Sequence, residues 1–111
     1  MAFQNITPTK LGTLAVTASF QTVYTTPESI RALVKDIIIC NTTAGALTVD
    51  LCVVPSGGTA GSTNAILFTT SIAANTQYRW QGLLVTNPED TLQVRGSSTG
   101  LTIFVSGGEA V

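Results

Sequence analysis

The chain has 111 residues, enough for one domain that buries roughly two thirds of the surface its unfolded form exposes. Charged residues make up 10% of it, against about 25% in a typical soluble domain, and 19 threonines and 8 serines supply the polarity instead. With a net charge of −1 and with Lys10, Arg31, Lys35, Arg79 and Arg95 standing singly, a nucleic-acid groove is not expected. No apolar run approaches the roughly 18 residues of a membrane helix. Residues 1–10 lack a basic segment followed by an apolar core, so the expectation is a protein made in a cytoplasm, with no membrane or nucleic-acid partner.

Residues 1–10 read as an extended N-terminal arm, either a frayed terminus or an arm that lies on a neighbouring subunit with Phe3 and Ile6 as its apolar anchors. The domain proper is expected over 11–106, with 107–111 as a C-terminal tail. Over Leu11–Thr25, the even positions Leu14, Val16, Ala18, Phe20 and Tyr24 share one face, which predicts a strand or a bent pair of strands. Thr26-Pro27-Glu28-Ser29 then turns the chain, because proline fixes φ and removes a donor. Ile30–Asn41 is long for one strand, so a bulge near Lys35-Asp36 or a passage between sheets is expected.

The apolar runs within Lys35–Val54 flank the polar segment Asn41–Ala46, and together they predict a central antiparallel hairpin. In that register Cys40 and Cys52 are offset along the hairpin, which predicts two free, mostly buried thiols. Residues 55–64, PSGGTAGSTN, lack the Gly-Lys-Ser/Thr ending of a phosphate loop. They read as an exposed loop, or as one that orders against a partner. Short strands follow at Ala65–Thr69, Thr76–Gln81, Leu83–Thr86, Thr91–Arg95 and Leu101–Ser106, separated by turn residues. Eight or nine short strands without an amphipathic helix predict an all-β antiparallel sandwich, plausibly a jelly roll.

Chemistry is sparse. The chain has no histidine, which removes the commonest general base and the usual partner of a serine nucleophile. Its six acids form no evident dyad, and two cysteines without histidine make a poor metal site, so neither catalysis, cofactor nor metal is expected. Asp50, in mid-strand, is expected to face solvent or to pair with a cross-strand Lys35 or arginine. Trp80 reads as a core residue, with a sugar-stacking platform as its functional rival. Phe104 shares the polar face of the last strand with Thr102 and Ser106, which predicts a covered surface there.

Several motifs then occur in a recognisable order: Tyr24–Pro27, Val34–Thr42, Val54–Gly58, Ser71–Thr76, Trp80–Gly82 and Asn87–Leu92. Over about residues 22–95 this run resembles small virion structural proteins of tailed bacteriophages, although Glu28-Ser29 departs from the Ala-Gly that usually follows the proline. The resemblance implies a β-sandwich that assembles on a phage head, neck or tail. The expected function is a non-enzymatic head decoration or cementing protein, a symmetric homo-oligomer with a trimer favoured. Its partners would be itself and the major capsid protein or other virion proteins, its location the virion, and Phe3, Ile6 and Phe104 its interface residues. The alternative is a receptor- or carbohydrate-binding tip, or a neck or tail accessory protein.

Overall fold

The computed structural model describes residues 6–110, with side chains from Lys10 to Glu109. Eight strands run in chain order: β1 (Ile6–Val16), β2 (Gln21–Thr25), β3 (Arg31–Asn41), β4 (Leu47–Val54), β5 (Ala65–Ile72), β6 (Gln77–Thr86), β7 (Thr91–Gly96) and β8 (Leu101–Ala110). They form two four-stranded antiparallel sheets, A in the order β1-β8-β3-β6 and B in the order β2-β7-β4-β5. The chain changes sheet at every connection except β4–β5, which gives the expected β-sandwich a jelly-roll order.

Period-2 alternation builds the core. Val34, Ile37 and Ile39 of β3 and Leu101, Ile103 and Val105 of β8 point inward from sheet A. Val49 and Leu51 of β4, with Leu92 and Val94 of β7, point inward from sheet B, and all ten side chains are essentially sealed from water.

The predicted hairpin over Lys35–Val54 does not form. β3 lies between β8 and β6 in sheet A, whereas β4 lies between β7 and β5 in sheet B. Residues 42–46 are therefore a corner between sheets. The one pair of consecutive strands that do hydrogen-bond is β4–β5, across the glycine-rich segment 55–64. A polar turn between two apolar runs suits a hairpin and a corner equally well. What decides between them is Asn41, fully buried at the end of β3. Its Nδ2 donates to the carbonyls of Gly45 and Ile72, both at 3.0 Å, and of Ala73 at 3.3 Å. Its Oδ1 accepts from the Thr43 N–H at 2.9 Å and from Thr43 Oγ1 at 2.7 Å. One amide thus ties the β3–β4 corner to the β5–β6 corner. At the opposite end the buried Thr26 and Thr86 hydroxyls, 2.6 Å apart, tie the β2–β3 and β6–β7 crossings in the same way.

The bulge expected near Lys35-Asp36 is present, and the register of β3 shifts between Val34 and Asp36 against both neighbours. β1 includes Ile6–Lys10, part of the stretch read as an arm, and β8 continues through Gly107-Gly108 to Ala110. Gly107 lies beside the β3 bulge, where a Cβ would stand 1.9 Å from the Leu33 carbonyl oxygen, so only glycine lets the two backbones meet there.

Candidate interaction surface

The two outer faces of the sandwich differ. On sheet B, the outward positions of β4 are Thr48, Asp50, Cys52 and Val54, and the last three are buried by the chain itself. Asp50 pairs with an arginine, Arg95 directly across on β7, its Oδ2 accepting from Nη2 at 2.6 Å and from Nε at 3.1 Å. Its Oδ1 accepts the Thr69 N–H at 2.7 Å. The Arg95 guanidinium lies 4.3 Å from the centre of the Phe20 ring, a cation–π contact that completes the cover. The segment 55–64 folds back over the far end of β4, where the Cys52 thiol donates to the Gly61 carbonyl at 3.4 Å and burial pushes its pKa up.

Sheet A has no such cover among the described residues. Its outward rows follow from the pairing. Phe104 on β8 sits between Thr13 on β1 and Ile38 on β3, and Ile38 faces Arg79 on β6. The next row sets Ser106 beside Asp36 and Asp36 beside Gln81. Arg79 is clamped by Asp36 in a two-pronged contact of 2.7 Å and 3.1 Å, which raises the arginine pKa and neutralises that pair, while the exposed Lys10 lies across Ser106 in the same row. Further along, Leu33 pairs with Val85. Three of the four exposed large apolar side chains, Phe104 at 40%, Val85 at 47% and Leu83 at 63%, belong to this sheet.

Of the residues singled out in the sequence, Phe104 stands on the outer face beside Ile38. Phe3 lies outside the described residues. Ile6 opens β1 opposite Ala110, and its side chain is also outside them. Trp80 and Tyr78 face inward from β6, half-buried and packed against the core. The Trp80 ring lies over Gly82, 3.3 Å from where a Cβ would be. Leu83 and Val85 were hidden by the division of β6 into two short strands at Gly82. The alternation of Gln77, Arg79 and Gln81 runs on through Leu83 and Val85, and that unbroken period is the signal that identifies one outward row. Three further acids are engaged structurally: Glu109 accepts from the Tyr24 hydroxyl at 2.5 Å, Asp90 accepts the Asn87 N–H at 3.0 Å, and Glu89 accepts from Ser56 at 3.4 Å.

No protein-family model matches the chain, and no curated protein matches it. Among solved structures, the chain is similar to a protein of Bacillus endospore appendages, described as a novel family of disulfide-linked pili. The TM-score is 0.55 at 19% identity, over 97% of this chain and 89% of that one. It is also similar to a chain of the infectious bursal disease virus particle, with TM-score 0.50 at 11% identity, over 94% of this chain and 31% of that one. The chain thus spans about a third of the viral protein's length. At these identities the likeness is one of fold: the chain is an eight-stranded sandwich of a kind found in a bacterial pilus and in a viral particle.

Proposed function

We propose that this protein is a non-enzymatic structural subunit of a virus particle, a head decoration or cementing protein of a tailed phage. It acts as a symmetric oligomer, with a trimer favoured, and its partners are copies of itself and the major capsid protein. The observation that carries this reading is the contrast between the outer faces. The centre of sheet B is covered by its own Phe20, Arg95 and residues 55–64, with Phe68 exposed on its edge strand, while sheet A presents Phe104, Ile38, Leu83 and Val85 beside a neutralised Asp36–Arg79 pair. Charge-poor apolar surface rimmed by hydroxyls is what a contact built on burial requires. The likeness in fold to a pilus protein and to a viral-particle chain supports an assembling role.

Replacing Phe104 by Ser tests it. Covering the exposed part of this ring contributes only a fraction of the ~1.5–3 kcal/mol of full burial per copy, but it does so at every contact of the assembly. The variant keeps its circular dichroism spectrum, scatters light as a smaller species and sediments less with phage heads. An unfolded variant, or one that assembles and attaches unchanged, refutes the role of this face. Density for the bound protein at the neck or tail would move the proposal to those parts of the particle.

A further inference from the structure

The four edge strands of the two sheets are protected very unequally. An open edge offers unpaired N–H and C=O groups to any other strand, and soluble proteins blunt such edges with bulges, proline, lysine or short length. β5 is broken by register shifts on both sides of its Leu67–Leu51 pair, and Thr69 there has φ of 50° with its N–H taken by Asp50. β2 is five residues long and shifts register between Thr22 and Tyr24. β1 carries Pro8, which has no N–H, the exposed Lys10 and a register shift between Lys10 and Gly12. It also lies against β2 so closely that a Cβ on Gly12 would come 2.5 Å from the Val23 carbonyl oxygen.

β6 carries no proline or lysine and, among the described residues, has no strand on its outer side; its one irregularity is the register shift against β3 between Gln81 and Leu84, opposite the β3 bulge. It runs for ten residues, QYRWQGLLVT, with unbroken alternation. It pairs only with β3, and among the described residues no other backbone hydrogen bond engages it. Its single charge, Arg79, is neutralised by Asp36 of the same chain. Its outward row ends in Leu83 and Val85, the first and third most exposed large apolar side chains described.

We propose that β6 joins two copies of this chain, antiparallel about a two-fold axis near Gly82, so that their A sheets fuse into one eight-stranded sheet. This deepens the reading of the protein as a self-associating structural subunit and rests on it. The occupant is a second β6 because the other three edges are blocked, β1 and β2 by their approach to one another and by Pro8 and Lys10, and β5 by its two register shifts and the Thr69 N–H held by Asp50. The strand is also self-complementary. Antiparallel pairing about an axis normal to the sheet keeps inward residues facing inward residues, so only registers that match like parity are allowed. With Gly82 on the axis, Trp80 of each copy meets Leu84 of the other on the inner face. On the outer face Gln81 meets Leu83 and Arg79 meets Val85. No charge faces a like charge, and the half-exposed edge of each indole gains a cover. Such a contact is isologous and closes, so it yields a dimer and not a fibre, and a second contact through Phe104 would build a larger closed or sheet-like assembly.

Hydrogen exchange on the intact protein over a concentration series, with sedimentation velocity on the same samples, tests this. The amides of residues 77–86 that point away from β3 should slow as concentration rises, in step with a monomer–dimer transition. Leu83→Lys and Val85→Lys should each weaken the dimer by about tenfold or more, because each sets a new cation near Arg79 of the partner on an apolar strand. Both positions are exposed, so the monomers should keep their circular dichroism. Concentration-independent exchange across β6, or a dimer unaffected by both lysines, overturns the proposal. Phe104→Ser separates it from the proposed function: β6 pairing that persists while particle attachment is lost supports both. Attachment without any β6 protection removes the strand pairing alone, and β6 pairing in a protein that never binds particles leaves the dimer standing without the virion role.

Discussion

Replacing Asn41 by Ala is the sharpest test of how the sandwich is held. The side chain is fully buried and makes five hydrogen-bond contacts, three given and two accepted. Not all of its partners are stranded by the change. The Gly45 carbonyl keeps the Thr43 hydroxyl at 2.9 Å, and the Ala73 carbonyl keeps the Thr76 hydroxyl at 2.7 Å. The Ile72 carbonyl and the Thr43 N–H lose the partner that the amide supplied. Four net hydrogen bonds at roughly 1 kcal/mol each, offset by what the Thr43 and Thr76 hydroxyls retain, give an expected loss of about 3 kcal/mol. That is a large share of the ~5–15 kcal/mol stability of a domain, and it corresponds to a fall in Tm of about 10–20 °C at this size. Urea unfolding followed by Trp80 fluorescence measures it, with the midpoint lowered and the slope m unchanged. Asn41→Asp should be no better, since a carboxylate cannot donate to three carbonyls. A loss below ~1 kcal/mol for Asn41→Ala would show that the corners hold without this amide, and would refute the account of why β3 and β4 part between sheets.

Two further outcomes follow from single contacts. Burial first, and then the hydrogen bond and the charge of Glu109, push the Tyr24 phenol well above its ordinary pKa. Folding therefore favours the protonated phenol, and this contribution is complete below the unfolded value of about 10 and is lost as pH rises toward the higher native one. Tyr24→Phe should cost roughly 1–2 kcal/mol near neutrality and make stability fall less steeply above about pH 10; equal slopes for the two proteins in urea midpoints would contradict this. Cys40 lies on the outer face of sheet A and Cys52 on the outer face of sheet B, with sheets about 10 Å apart between them, so the pair cannot meet within one chain. Intact mass after alkylation under denaturing, non-reducing conditions should show two free thiols. In the native protein Cys40 should react first, because Cys52 is sealed beneath residues 55–64 and its thiol is held protonated. Equal rates would mean that the segment does not cover it.

Much of this architecture could be read from local pattern. Alternation at Leu101, Ile103 and Val105 assigns those residues to the core and turns Phe104 away from it. The overlong stretch ending at Asn41 announced the bulge at Lys35. The partner of Asp50 was legible as a class, a cross-strand cation, but not as Arg95, because Arg95 is 45 positions away and reaches it only through the β4–β7 pairing. The free thiols were expected from a hairpin register that does not exist; they are apart because two sheets separate them.

By itself, the sequence determined the class of fold and the direction of most side chains. A strand's period of two is a local property, carried by backbone sterics and by the five or six residues around each position. Strand partnership is not local. Asn41–Ala46 satisfies the chemistry of a hairpin turn as well as that of a sheet-to-sheet corner, and the choice rests on where the Asn41 amide finds its carbonyls, at Gly45, Ile72 and Ala73. Only the tertiary structure decided that choice. It likewise decided that, among the described residues, the centre of sheet B's outer face is covered while that of sheet A is not, and that β6 has no neighbour on its outer side, because each depends on which distant segments come to lie side by side.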